Sequence, residues 1–140
     1  MAQAARRAFI RLATPAVIGA LTIGLGLPPM AQAGERIQFA RGKDSAALRG
    51  SVTGSHHRDY VLGARAGQTM SVSLMTEGSA YFNILPPGSQ DVGIYNASMD
   101  GANARFRLPS NGDYTIRVYL MGDDKDSGRT VHYTLSVIIL

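Results

Sequence analysis

The side chains best suited to chemistry are gathered in two short stretches. "GSHHRD" at 54–59 places His56 and His57 between Ser55 and Arg58, and "GDDKDSGR" at 122–129 places Asp123, Asp124 and Asp126 beside Lys125 and Arg129, with Gly122 at its start. Adjacent carboxylates can divide the work of general acid and general base only when unequal burial separates their pKa values. On a polar tip Asp123 and Asp124 are both expected in solvent, so the pair reads as a solvated turn. Asp124, Asp126 and Gly128 repeat part of a calcium-loop spacing, but the distal bidentate glutamate that completes an EF-hand is missing. The histidine pair can hold a transition metal only if further ligands converge on it, and His132 is expected on a strand surface. No G-x-S-x-G elbow, no H-E-x-x-H pair and no cysteine nucleophile accompanies them. No catalytic residue, metal or cofactor is expected, which leaves recognition as the chemistry of both stretches.

The elements that must position these residues read as strands. Short runs with period-2 alternation, separated by Gly, Pro, Asn and Asp, indicate a sandwich rather than helices. Arg36 to Phe39 opens the series. Leu48, Gly50 and Val52 share one face, as do Tyr60, Leu62 and Ala64, and Met70, Val72 and Leu74. Phe82 and Ile84 precede the break at Pro86 and Pro87, a short strand is expected near Ile94 and Tyr95, and Ala104, Phe106 and Leu108 precede the turn "PSNGD". Tyr114, Ile116, Val118 and Leu120, then Val131, Tyr133, Leu135, Val137 and Ile139, should face the core. Their parity suits a hairpin in which Leu120 pairs with Val131, Val118 with Tyr133 and Tyr119 with His132, and Met121 to Thr130 form the tip. With no 3.6-residue pattern after residue 33, the expected fold is an all-β, antiparallel, jelly-roll-like sandwich of two sheets and eight or nine short strands.

Residues 1–33 are excluded from that fold. Arg6, Arg7 and Arg11, an uncharged apolar stretch from Leu12 to Leu27, and "AQA" at 31–33 form the pattern of a secretory signal, and "RRAFIR" resembles a twin-arginine variant. One domain, 34–140, is then expected in the periplasm or outside the cell, without stable membrane insertion. The leader contains three of the 14 Lys and Arg, which leaves 11 against 10 acidic residues and lowers the net charge from +4 to +1. Without a basic track interleaved with aromatics, nucleic acid is not an expected partner. The absence of Cys rules out a disulfide framework, so core packing must hold the domain together.

"DYVLGARAGQTMSVSL" at 59–74, "AYFNILPPGS" at 80–89 and "NGDYTIRVYLM" at 111–121 closely resemble, in order and spacing, the family of periplasmic inhibitors of g-type lysozyme. More distantly the frame is similar to the bacterial pre-peptidase C-terminal β-sandwich domain. The resemblance covers about Arg36 to Ile139. It implies a non-enzymatic protein whose loops, at one end of the sandwich, enter the carboxylate-lined cleft of a lysozyme, with contacts from Ser55, His56, His57 and Arg58 and from Gly122 to Arg129. Relatives similar to this chain have two arginines at the positions of Gly122 and Asp126 and an aromatic residue at that of Ser55. Here the tip is acidic and should be repelled by an acidic cleft, so whole-domain resemblance favours the inhibitor, whereas the tip favours the alternative of an envelope sandwich module that binds a glycan, a cation or another envelope protein without inhibiting lysozyme.

Overall fold

The computed structural model describes residues 34–140, Asp91 excepted; the expected leader, 1–33, lies outside the described residues. The chain runs β1 (Glu35–Arg36), β2 (Ser45–Thr53), β3 (His57–Ala64), β4 (Thr69–Thr76), β5 (Ala80–Leu85), β6 (Tyr95–Asn96), α1 (Ala97–Asp100), β7 (Asn103–Arg107), β8 (Gly112–Leu120), α2 (Gly122–Asp126) and β9 (Thr130–Ile139). Strands β1-β3-β8-β5-β6 form one sheet and β2-β9-β4-β7 the other. All pairings are antiparallel except β1 with β3, where Glu35 lies beside Tyr60 and Arg36 beside Val61. The two helices are single turns at strand connections, too short to impose a helical period on the sequence.

The alternation expected from sequence is the one the sandwich buries. Tyr60, Leu62, Phe82, Ile84, Tyr114, Ile116 and Val118 from one sheet meet Met70, Val72, Leu135 and Val137 from the other in one core. Burying each large apolar side chain stabilises the fold by roughly 1.5–3 kcal/mol. Tyr95 also turns inward, stacked between Phe82 and Phe106, whereas Ile94 precedes β6 and is exposed.

Strands β8 and β9 do not form the expected hairpin. β8 lies between β3 and β5, β9 between β2 and β4, so the segment joining them crosses from sheet to sheet. Leu120 pairs with Ala80 and Val131 with Val52, while Tyr119 lies between His57 and Tyr81, and His132 lies opposite Ser51. Inward-facing parity is the same for a hairpin and for an arch between packed sheets, because both bury their inner residues in one core. The length of the tip was the clue: tight hairpins use about 2–5 loop residues, whereas this connection must span roughly 10 Å between sheets. Every connection among the described elements changes sheet except that between β5 and β6, and this alternation collects the turns at the two ends of the sandwich.

Candidate functional site

At one end, the turns β2–β3, β4–β5 and β8–β9 are joined into a single surface. Thr53 and Thr130 share a hydroxyl–hydroxyl bond of 2.7 Å, and the Gly54 N–H donates to the Arg129 carbonyl at 3.0 Å. Gly54 has φ +56°, and a Cβ there would lie 3.3 Å from the Gly128 Cα, so the close approach of these turns depends on glycine. The Met121 N–H donates to the Ser79 carbonyl at 3.1 Å, which attaches the third turn.

Asp124 is the centre of this arrangement and departs from the expectation of a solvated carboxylate. It is 7% exposed. Its Oδ2 accepts the Ser79 N–H at 2.7 Å and its Oδ1 accepts Arg129 Nη1 at 2.9 Å. A Cβ at Gly78 would lie 2.9 Å from the carboxylate, so Gly78 leaves it room. The Ser79 N–H, and next the Arg129 hydrogen bond, hold the Asp124 carboxyl below the usual carboxylate range, against the opposing effect of burial. Asp124 is thus an ionised strut between two turns, not half of an acid–base pair. The neighbouring Asp123, Lys125 and Asp126 face solvent. Asp123 also supplies the carbonyl that accepts the Ser127 N–H, and Lys125 the one that accepts the Gly128 N–H, closing the single turn of α2.

In the neighbouring turn Ser55 and His56 are exposed. His57 opens β3, with its Nε2 3.8 Å from Asp59 Oδ1. Arg58 points along the sandwich edge, 3.2 Å from Glu35 and 5.8 Å above the Tyr60 ring. Gly122, at φ +66°, starts α2. The structure therefore brings the two stretches singled out by sequence together at one end, and it adds Gly78 and Ser79, which carry no titratable side chain and gave no chemical signal. An open groove of about 1340 Å³ extends from Arg129, Asp124 and Gly78 across Arg49, Met75 and His132 on the four-stranded sheet. Among the described residues no three His, Asp or Glu side chains converge as metal ligands, and no helix is long and apolar enough to cross a membrane.

No family model matches the chain. The solved structure of PliG from Aeromonas hydrophila, a periplasmic lysozyme inhibitor of g-type lysozyme, is 37% identical and superposes with a TM-score of 0.72 over 76% of this chain and 96% of that one. The chain belongs to the family of periplasmic inhibitors of g-type lysozyme. The inhibitor of g-type lysozyme of Escherichia coli K12 is 28% identical over 106 residues, 74% of this chain and 78% of that protein. The pre-peptidase C-terminal domain of a Bacillus anthracis collagenase shares the sandwich, with a TM-score of 0.58 at 18% identity over 75% of this chain and 94% of that one. Arg129 pairs with the buried Asp124 while its own side chain stays largely exposed, and α2 itself displays Asp123, Lys125 and Asp126 to solvent.

Proposed function

We propose that this protein is an exported, non-enzymatic inhibitor of g-type lysozyme that engages the enzyme through the end of the sandwich formed by Ser55–Arg58 and Gly122–Arg129. The observation that carries the reading is family membership over the whole domain, with 37% identity to a solved inhibitor across 96% of its chain. Export follows the signal pattern of residues 1–33, with 34–140 as the mature domain, and agrees with relatives described as periplasmic.

The geometry suits this role. Three turns cross-linked by backbone hydrogen bonds and by a buried carboxylate are ordered before binding, which lowers the conformational entropy lost on entering a cleft. Lys125, the largely exposed Arg129 and the histidine turn are the polar groups of these stretches available to cleft carboxylates. The test is lytic activity of a g-type lysozyme, with c-type and i-type enzymes as controls, during titration with the purified protein. Stoichiometric loss of g-type activity is expected; full activity at large molar excess would remove the inhibitor reading.

A further inference from the structure

The outer face of the five-stranded sheet carries an ordered set of side chains that, His57 apart, the inhibitory end does not use. Register places His57, Tyr119 and Tyr81 on one rung, and Asp59, Arg117, Asn83 and Asn96 on the next. The second rung spans four strands, roughly 14 Å at the usual strand spacing. The Tyr119 hydroxyl donates to Asn83 Oδ1 at 3.0 Å and reaches Asn96 Oδ1, two strands away, at 3.3 Å. Such reach requires the ring to lean along the sheet. Tyr81 lies beside it, with ring centroids 6.3 Å apart and planes 35° from each other. The two half-buried rings form a shallow aromatic floor.

The polar groups around that floor are fixed and partly unused. Asp59 holds Arg117 by two hydrogen bonds, at 2.8 and 3.0 Å. The Oδ1 atoms of both asparagines are occupied, that of Asn96 also by the Ser98 N–H and hydroxyl. Among the described residues, no acceptor meets the amide nitrogens of Asn83 and Asn96 or the hydroxyl of Tyr81. Charge is balanced on this sheet: Arg36 pairs with Asp113, Arg58 with Glu35 and Arg117 with Asp59. The four-stranded sheet is the opposite case, since none of its strands carries a carboxylate and Arg49, Arg105 and Arg107 make no ion pair among the described residues. An anionic ligand would favour that sheet; the tyrosine face suits an uncharged one.

We infer that the outer face of the five-stranded sheet binds an uncharged saccharide chain, stacking pyranose rings on Tyr81 and Tyr119 and bonding their hydroxyl or acetamido groups through the amides of Asn83 and Asn96. A pyranose has apolar C–H faces and a polar rim. Tyrosine supplies the matching rigid apolar surface with little entropy to lose, and the pre-set amides supply orientation. The inference does not depend on lysozyme inhibition, and its ligand would place the protein on a glycan.

Calorimetric titration of the purified protein with chitotetraose and with cellotetraose tests it, alongside Tyr81→Leu, Asn83→Ala and, on the opposite sheet, Arg105→Gln. At least one saccharide is expected to bind at millimolar concentration, with affinity reduced about tenfold by Tyr81→Leu, less by Asn83→Ala and not by Arg105→Gln. Preference for chitotetraose identifies acetamido groups as the recognised feature, whereas equal binding assigns recognition to rings and hydroxyls. Amide shift changes on titration should fall on β5 and β8, and variants with wild-type melting temperatures guard against misfolding. No binding of either saccharide, or binding that survives Tyr81→Leu and Asn83→Ala in folded protein, overturns the inference.

Discussion

Replacing Gly50 by alanine should be among the most damaging single-methyl additions in the domain. Gly50 lies on the inner face of β2, opposite Tyr133 of β9. Directly over it the hydroxyls of Tyr60 and Tyr133 share a 2.6 Å hydrogen bond that joins the two sheets. Tyr60 is 1% exposed and Tyr133 4%. A Cβ on Gly50 would lie 2.6 Å from the Tyr133 hydroxyl, 2.7 Å from that of Tyr60 and 2.8 Å from the Tyr133 ring carbon that bears the oxygen. The obstacles are the ends of buried rings, one from each sheet, so neither can swing freely aside. Overpacking costs about 1–3 kcal/mol, and separating the hydroxyls removes a bond with a net value of about 1 kcal/mol. A total of about 2–4 kcal/mol is a large part of the roughly 5–15 kcal/mol that holds a domain folded. It corresponds to a fall in Tm of about 10–20 °C at this size. Thermal unfolding followed by circular dichroism reads the effect. Tyr133→Phe should cost about 1–2 kcal/mol on its own. The double variant should cost about 1 kcal/mol less than the sum of the two, because the hydroxyl bond can be lost only once. A Tm for Gly50→Ala within about 2 °C of wild type, or strict additivity in the double variant, would refute this account.

Three further outcomes are expected. Gly78→Ala places a Cβ 2.8 Å from Val131 Cγ1 and 2.9 Å from Asp124 Oδ2; it should destabilise by about 1–3 kcal/mol and weaken inhibition at temperatures where the protein is still folded, as an inhibition titration beside a melting curve will show. Asp124 has a folded-state pKa below its unfolded value, so its contribution is complete above the usual carboxylate range and is lost as pH falls through the lowered value; urea unfolding at neutral pH and near about pH 3 should show a smaller acid-side loss of stability for Asp124→Asn than for wild type. Asp126→Arg reverses an exposed tip charge and should tighten binding to a carboxylate-lined cleft about two- to tenfold, an advantage that shrinks with salt; equal affinities by calorimetry would argue against the tip as the contact.

Facing was legible in the sequence, and pairing was not. Alternation in Tyr114–Leu120 and in Val131–Ile139 identifies the buried side of β8 and β9, because burial is a property of each strand alone. Which strands are neighbours depends on the whole chain, and a polar connection offers no register of its own, so the sequence pattern of an arch is also that of a hairpin. The site shows the same division. The histidine turn and the acidic tip stand out by residue type and do meet at one end. The sequence could not show that Asp124 differs from Asp123, because its burial depends on the Ser79 N–H, a backbone donor 45 positions away with no signature in residue type. Parity puts Gly50 on one face with Leu48 and Val52, but its importance depends on two tyrosines from other strands.

The place of β9 in its sheet has a consequence for how the protein is made. β9 follows the other described strands in sequence, yet it lies between β2 and β4 and pairs with both along most of its length. Until it emerges, those two strands have no common partner and expose unpaired edges flanked by apolar inner faces, the condition in which chains associate with one another. Assembly of the four-stranded sheet therefore waits until β9 (Thr130–Ile139) has emerged, and the slow loop closure joining Ser45 to Ile138 becomes the step at which the nascent protein is most exposed to aggregation and proteolysis. A chain shortened before Thr130 would lack the strand that holds its neighbours in place, so loss of β9 should act as loss of the whole domain.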